Sequence, residues 1–263
     1  MTATHSFHSY VALGDSFTEG LDDLTSSGEF RGWADRLAEH LAASNPDFRY
    51  ANLAIRGRLI GAVHSEQLGP ALAMQPDLAS VMAGTNDILR RQVTIEQIAA
   101  LMEEIQAALI GQGATVLTMT MPDLSESIPI ARLVRSRVLE YNAAMREVAA
   151  RTGAVMLDMA ANDDEFDPRL WSDDRLHGNA LAHERIAAAS ADALGVPVAD
   201  DSWKFPLPGA HHRGRVRIAY EHTVWIVQHF VPWIVRRLRG RSSGDGVTPK
   251  RPQLTPVGQH GSE

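Results

Sequence analysis

A serine that could act as a nucleophile lies near the start of the chain, in the segment Gly14-Asp15-Ser16-Phe17. A serine hydroxyl is hardly nucleophilic at neutral pH, so it needs a general base, and the base needs an orienting carboxylate. Glycine, aspartate and serine also favour turns, and taken alone this segment is more often a turn that caps a helix. The chemistry therefore depends on whether a base can reach Ser16.

The most specific pairing of a histidine with a carboxylate lies in residues 171–179, where Asp174 precedes His177 by three positions. The chain holds 11 histidines, so a single histidine carries little information. On one tight turn, this spacing lets the carboxylate reach Nδ1 of the imidazole and fix its tautomer. Asp173 is an alternative orienting residue. A helix-capping aspartate beside a solvated histidine is an alternative interpretation of the same segment.

Acyl transfer also needs hydrogen-bond donors for the oxyanion, and two further loops offer candidates. Gly57 ends the stretch that begins at Asn52, and without a side chain its backbone N–H can approach a ligand closely. Asn86 lies in the segment Gly84-Thr85-Asn86-Asp87 and could offer a side-chain N–H. Each of these loops, taken alone, is more often a turn.

The elements that would position these residues follow from the hydrophobic pattern. Short apolar runs alternate with amphipathic stretches, which predicts a parallel sheet covered by helices on both faces. The loops at the carboxyl ends of such strands meet at one edge, so we expect the four candidate segments to lie together there. The predicted strands are 10–13, 48–55, 78–82, 114–119 and 154–157, and the predicted helices are 32–43, 94–110, 130–150 and 179–194.

Taken together, the four segments resemble the SGNH hydrolases, also called the GDSL esterase/lipase family. Ser16 stands at the serine of the family's Gly-Asp-Ser-Leu block, where Phe17 is a conservative departure from leucine. Gly57 matches the glycine of Asn-x-Ala-x-x-Gly, Asn86 matches Gly-x-Asn-Asp, and residues 174–177 match Asp-x-x-His. The resemblance covers about residues 8–196. It implies an α/β fold, a flavodoxin-like three-layer sandwich with a five-stranded parallel sheet.

The resemblance also implies a mechanism that needs no cofactor and no metal. Ser16 would attack the ester carbonyl, His177 would act as general base, and Asp174 would orient His177. The oxyanion would be held by the N–H of Ser16, the N–H of Gly57 and the side chain of Asn86. The leading hypothesis is hydrolysis of small acyl or acetyl esters, including carbohydrate O-acetyl groups. The alternatives are a longer-chain lipase or thioesterase, and a non-catalytic ligand-binding module on the same fold.

Four charged residues adjoin the predicted site. Arg56 and Arg58 flank Gly57, where they would either bind an anionic substrate group or remain solvated loop charges. We interpret Asp15 and Asp87 as hydrogen-bond acceptors that fix loops rather than as proton carriers.

Composition narrows the classes of function. The 263 residues include no cysteine, which excludes thiol catalysis, disulfides and cysteine-ligated zinc. Residues 1–200 hold 15 arginines and 28 acidic residues, a net charge of −13, which argues against nucleic acid as a partner. Residues 1–9 are polar and lack a signal-peptide pattern, so we expect a cytoplasmic protein.

The chain is predicted to divide into three parts. Residues 1–200 form the catalytic domain, 201–241 form a basic, aromatic extension, and 242–263 form a disordered tail poor in apolar residues. Within the extension, residues 224–241 combine an apolar run with four arginines. They would either contact an anionic membrane surface or pack back on the catalytic domain.

Overall fold

A central sheet of six strands organises the protein. The computed structural model describes residues 6–125, 129–161, 167–209, 224–225, 228, 231–232 and 242–258. The strands are β1 (Ser9–Gly14), β2 (Arg49–Asn52), β3 (Leu78–Met82), β4 (Thr115–Met119), β5 (Val155–Leu157) and β6 (Arg251–Pro256). Their spatial order is β5-β4-β3-β1-β2-β6, with β1 to β5 parallel and β6 antiparallel to β2.

Helices cover both faces of this sheet. They are α1 (Ser16–Glu19), α2 (Gly32–Ala42), α3 (Ile60–Ala62), α4 (Leu68–Met74), α5 (Thr85–Ile88), α6 (Ile95–Gly111), α7 (Arg135–Thr152) and α8 (Ala180–Ala193). A π-helical turn, Val63–Gln67, joins α3 to α4. Short 3₁₀ helices lie at Pro129–Leu133, Met159–Ala161, Pro168–Leu170 and Ser202–Lys204.

Each face of the sheet has its own apolar core. Because side chains alternate along a strand, Tyr10 and Ala12 of β1 pack with α2 and α8, whereas Val11 and Leu13 pack with α3, α4, α6 and α7. All four side chains are fully buried. This three-layer α/β arrangement confirms the predicted fold class.

The predicted elements are present, with ends shifted by at most five residues, the largest shift being the start of α7 at Arg135 instead of 130. The capping box before α6 is confirmed, since the Thr94 side chain accepts from the Gln97 backbone and the Gln97 side chain accepts from the Thr94 backbone. The prediction did not include the helical stretch from Ile60 to Met74, nor the short helices α1 and α5. These elements are short or lack a long apolar stripe, the signal on which helix prediction depends.

The prediction of a five-stranded sheet is wrong, and so is the prediction that the whole tail 242–263 is disordered. Residues 251–256 form the edge strand β6, and residues 242–250 lead into it. Pro252 and Pro256 can join a strand there because one side of an edge strand needs no ladder partner. The segment buries few apolar side chains, so its composition resembled that of a disordered tail. Polar anchors hold it, such as the three hydrogen bonds of Lys250 to Phe30, Arg31 and Asp35.

Most of the basic extension lies outside the described residues, including 210–223 and 233–241. The prediction of membrane contact by residues 224–241 therefore falls largely outside them. One described member, Trp225, is buried, and its Nε1 donates to the Asp174 carbonyl of the catalytic domain at 2.6 Å. No helix in the described part of the chain has the length and apolar character needed to cross a membrane.

Candidate active site

Ser16 is placed at the carboxyl edge of the sheet by a turn that requires glycine. Gly14 ends β1 with φ +152°, and a Cβ atom there would lie 2.4 Å from the carbonyl oxygen of Met82 on β3. The side chain of Asp15 then caps the new helix by accepting from the N–H of Phe17 at 3.3 Å. Ser16 is the first residue of α1, so its hydroxyl emerges where strand turns into helix.

Ser16, His177 and Asp174 form a continuous hydrogen-bonded chain. The Ser16 hydroxyl lies 2.8 Å from Nε2 of His177, and Nδ1 of the same ring lies 2.6 Å from Oδ2 of Asp174. With the proton on Nδ1 donated to Asp174, Nε2 is left to accept from the serine hydroxyl. The structure therefore brings together the three side chains predicted as nucleophile, base and orienting acid, and Asp174 rather than Asp173 carries the bond to the imidazole.

The pKa values of the pair reflect their contact. Burial opposes the charged imidazolium, but the hydrogen bond and the negative charge of Asp174 outweigh it, so the pKa of His177 is raised. Burial also favours the neutral form of Asp174. The hydrogen bond from His177, its charge and two backbone N–H groups outweigh that effect and lower the pKa of Asp174 well below its ordinary value. Asp174 is thus held as a carboxylate that stabilises a protonated His177.

A closed turn fixes the spacing of Asp174 and His177. Trp171 and Gly178 form an antiparallel bridge at its base, and the N–H of Ser172 donates to the His177 carbonyl at 3.0 Å. Oδ1 of Asp174 accepts from the backbone N–H of His177 at 3.0 Å, and likewise from that of the intervening leucine. The turn therefore holds both ends of the Asp–His pair before any ligand binds.

A second carboxylate, Asp22, reaches the same histidine and was missed by the sequence analysis. Its Oδ2 lies 3.8 Å from Nδ1 of His177. The hydroxyl of Ser172 lies 2.7 Å from Asp22 and 2.7 Å from Asp174, so its single hydrogen can be donated to either acid. Asp22 belongs to the loop after α1 and has a left-handed backbone, with φ 68°. No spacing in the sequence links it to the turn 171–178.

The predicted oxyanion donors lie in two neighbouring loops. Gly57 follows β2 with φ +73°, a conformation that favours glycine. Nδ2 of Asn86 lies 2.9 Å from Oδ2 of Asp15 and 3.1 Å from the carbonyl oxygen of Arg58, which ties the two loops together. These two acceptors use both hydrogens of the amide. To donate to an oxyanion, the Asn86 side chain must break one of these two hydrogen bonds.

Asp15 and Asp87 act as hydrogen-bond acceptors that fix loops, as predicted. Asp15 is buried and also accepts from the Thr85 hydroxyl at 2.9 Å. Asp87 accepts from the N–H of Ile60 at 2.9 Å, which positions the start of α3. Burial raises the pKa of Asp15, and it raises the pKa of Asp87 to about 6.

The two arginines beside Gly57 have different surroundings. Arg56 pairs with the buried Glu19, which also accepts from the Arg56 backbone N–H at 2.7 Å, and its guanidinium lies over the ring of Phe30. Arg56 is therefore a structural residue of this loop. Arg58 makes a 3.0 Å ion pair with Glu66 and lines a cavity.

That cavity has a volume of about 650 Å³ and runs beside the predicted oxyanion loops. Gly57 and Asp87 lie in its wall, and most of its remaining lining is apolar. Apolar contacts come from Leu59, Ile60, Ala62, Val93, Ala100 and Leu101. A second cavity of about 100 Å³ lies beside Phe17, between β5 and α8, with Trp171 in its wall.

Asp22, Asp174 and His177 also form a group whose ligand atoms could surround a metal ion. Two of the three make the hydrogen bond that orients the imidazole toward Ser16. An ion bound there would replace that bond. This group is therefore better suited to orienting a base than to holding a metal.

Known proteins resemble this chain in sequence and in fold. The model of the GDSL-like lipase/acylhydrolase family matches residues 12–185. A search of curated proteins finds no match. Among solved structures, LAE5, an alpha/beta hydrolase from the metagenome of Lake Arreo in Spain, is 24% identical with a TM-score of 0.60, and the alignment covers 73% of this chain and 96% of that one.

Two further solved structures show the same fold. Axe2, an acetylxylan esterase from Geobacillus stearothermophilus, is 20% identical with a TM-score of 0.61, covering 75% of this chain and 98% of that one. TesA is 21% identical with a TM-score of 0.56, covering 71% of this chain and 97% of that one. In each case, nearly all of the solved chain aligns with about three quarters of this protein.

Proposed function

The chain belongs to the GDSL-like lipase/acylhydrolase family, and from this we propose that it hydrolyses carboxylic esters through an acyl-enzyme formed on Ser16. The observation that carries the proposal is the continuous chain from the Ser16 hydroxyl through His177 to Asp174, with contacts of 2.8 and 2.6 Å. This contact pattern is what nucleophilic catalysis by serine requires.

In the proposed reaction, Nε2 of His177 takes the hydroxyl proton as the Ser16 oxygen attacks the ester carbonyl. Collapse of the tetrahedral intermediate breaks the bond to the alcohol, and His177 returns the proton to the alcohol as it leaves. Water then attacks the acyl-enzyme with the same histidine as base, which releases the acid and restores the Ser16 hydroxyl. Asp174 stays ionised throughout and stabilises the imidazolium.

The negative charge that develops on the carbonyl oxygen needs donors. We assign these to the backbone N–H groups of Ser16 and Gly57 and to the side chain of Asn86. Asn86 can donate to the oxyanion once its hydrogen bond to Asp15 or to the Arg58 carbonyl is broken. Removing one such donor typically costs on the order of 3 kcal/mol of transition-state stabilisation.

For the substrate, our first proposal is a small acyl ester such as an acetyl ester, including O-acetyl groups of carbohydrates. The shared fold of Axe2, which is an acetylxylan esterase, supports this class. The cavity of about 650 Å³ with mostly apolar walls beside Gly57 favours a second candidate, esters with longer acyl chains. An apolar cavity of this size could bury many methylene groups, each contributing about 0.8 kcal/mol.

A series of nitrophenyl esters from acetyl to palmitoyl tests both the reaction and the acyl class. A maximum of kcat/KM at acetyl would support the first substrate, and a maximum at about eight or more carbons would support the second. Ser16→Ala is the matched control and should lose at least about 10³-fold in kcat. Equal inactivity of wild type and Ser16→Ala on the whole series would instead favour a ligand-binding module.

We also propose that hydrolysis needs no metal, because the serine, histidine and carboxylate together supply nucleophile, base and charge stabilisation. Dialysis against EDTA, followed by assay with and without added Zn²⁺ or Mg²⁺, tests this. Unchanged activity after dialysis would support the proposal. Activity lost on dialysis and restored by a metal would contradict it.

We also propose a cytoplasmic location, and membrane contact through residues 224–241. The absence of cysteine is compatible with the cytoplasm, where thiols stay reduced. The arginines of residues 224–241 suit an anionic lipid surface. Flotation with vesicles of anionic lipid would test the contact, with vesicles of neutral lipid as the comparison, and equal recovery from both would contradict an electrostatic attachment.

A further inference from the structure

The segment 242–258, which we call the C-terminal segment, lies beyond the part of the chain that the family model matches, residues 12–185. The solved structures LAE5 and Axe2 align with 73% and 75% of this chain. The start of the segment nevertheless lies against the loop that contains Gly57. A segment outside the matched residues thus contacts one of the proposed oxyanion donors.

The closest approach is between Gly244 and the peptide group that joins Arg56 to Gly57. A Cβ atom on Gly244 would lie 2.1 Å from the Arg56 carbonyl oxygen and 3.0 Å from Cγ2 of Ile55. Gly244 is buried and its backbone is not left-handed, so glycine is required there by contact rather than by conformation. The Arg56 carbonyl and the Gly57 N–H belong to one planar peptide, so a contact on the carbonyl also restrains the N–H.

The other side of Gly57 is also in contact with the C-terminal segment. A Cβ atom on Gly57 would lie 2.3 Å from the Ser242 hydroxyl and 3.1 Å from that of Ser243. The Ser242 hydroxyl donates to the Gly57 carbonyl at 3.5 Å and accepts from the Gly244 N–H at 3.2 Å. Both peptide groups that flank Gly57 therefore touch the segment.

Anchors on the catalytic domain set the position of the segment. Strand β6 pairs with β2, the strand that leads into the Gly57 loop. Nζ of Lys250 donates to the carbonyls of Phe30 and Arg31 at 3.0 and 2.7 Å and to Asp35 at 2.9 Å. The residues before β6 are thus fixed relative to the loop that they contact.

We propose that Gly244 is a positioning residue for the oxyanion hole: it holds the Arg56–Gly57 peptide so that the Gly57 N–H keeps the orientation that an oxyanion needs. A peptide next to glycine is easily rotated because glycine adopts many backbone conformations. Oxyanion donors act by being oriented before the reaction, so a restraint on this peptide contributes to the rate. This inference rests on the proposed function.

Gly244→Ala tests the inference, and Gly258→Ala is the matched control in the same segment. No atom lies within 4 Å of a Cβ built on Gly258, whereas Gly244→Ala must displace the segment or the peptide. We expect kcat on nitrophenyl acetate to fall about 10- to 100-fold in Gly244→Ala, while KM changes less than about 3-fold. Gly258→Ala should keep the wild-type kcat. Because a loss of folded protein lowers the rate without changing KM, kcat is calculated per titrated active site. A mere loss of folded protein would then leave kcat at the wild-type value.

Wild-type kcat in Gly244→Ala, or an equal loss in Gly258→Ala, would overturn the inference. If Gly244→Ala does not fold, Ser242→Ala decides, since it removes a hydroxyl that touches Gly57 without adding an atom. That variant should lose about 2- to 5-fold in kcat with KM unchanged, and a wild-type kcat there would overturn the inference. Failure of the proposed function gives a different result, because wild type itself would then hydrolyse none of the esters.

Discussion

Asp22 places a carboxylate oxygen 3.8 Å from Nδ1 of His177, on the same ring nitrogen that Asp174 binds at 2.6 Å. The negative charge of Asp22 is one of the effects that raise the pKa of His177. The Ser172 hydroxyl lies within hydrogen-bond distance of both acids and can donate its hydrogen to Asp22 or to Asp174. The imidazolium formed during catalysis would therefore face two carboxylates.

Replacing Asp22 with asparagine should lower the pKa of His177. Removing a negative charge makes the protonated ring less stable, so the acid limb of kcat/KM should move to lower pH. We expect only a small change in the maximum rate, because Asp174 keeps its bond to the ring. Asp173→Asn, at an exposed neighbouring acid, is the control. An unmoved acid limb in Asp22→Asn, or an equal shift in the control, would contradict the expectation.

In the wild-type enzyme, the acid limb itself should lie above the ordinary histidine value. His177 must be neutral to accept the serine proton, and its pKa is raised from 6.5. Activity should therefore rise with pH through an apparent pKa above 6.5 and then level off. The check is a profile of kcat/KM from pH 5 to 9, a range of about two units either side of neutral. A midpoint at or below 6.5 would show that burial outweighs Asp174 and would contradict the expectation.

Asp174→Asn should lower kcat far more than Asp22→Asn or Asp173→Asn. Asparagine can occupy the same space but favours the wrong tautomer of His177, and a comparable change in another serine enzyme lowers kcat about 10⁴-fold. A smaller loss here would be explained by Asp22. The double variant Asp22→Asn/Asp174→Asn distinguishes the two cases: if Asp22 substitutes for the missing carboxylate, the double variant should be slower than Asp174→Asn alone. Equal rates would show that Asp22 does not take over.

The sequence was sufficient to predict the elements that carry the triad because their signals are local. Strand β1 and helix α8 have regular apolar patterns, and both ends of the Asp174–His177 pair lie on one turn. The parallel topology then brings that turn to Ser16, at the carboxyl edge of the sheet. The structure brings these three side chains together, while their roles in catalysis are assigned as part of the proposed function.

The features that could not be predicted depend on contacts between distant parts of the chain. The C-terminal segment has too few apolar residues to indicate a strand, yet Lys250 is held by Phe30, Arg31 and Asp35. From the sequence, Arg56 could either bind an anionic substrate group or remain a solvated loop charge. Its ion pair with the buried Glu19 shows that it is a structural residue. Polar contacts of this kind leave no periodic pattern in a sequence.

His183 provides a test of stability that does not depend on the catalytic assignment. It is fully buried in α8, its Nδ1 accepts from the Trp33 backbone N–H at 3.1 Å, and its Nε2 donates to the Leu21 carbonyl at 3.1 Å. These bonds need the neutral ring, and burial lowers the pKa of His183 to about 4. A protonated ring could not accept from Trp33, so unfolding is favoured where the free histidine would be charged.

The free energy of unfolding should therefore fall as the pH drops from about 6.5, the pKa of a histidine in the unfolded chain, to about 4. Between these pH values the unfolded state binds a proton at this histidine and the folded state does not, which lowers the free energy of unfolding by up to about 3 kcal/mol. The stabilisation is fully present above pH 6.5. His183→Gln cannot titrate, so its urea-unfolding free energy should depend less steeply on pH than that of wild type. Parallel curves for wild type and His183→Gln would mean that His183 is not the group responsible.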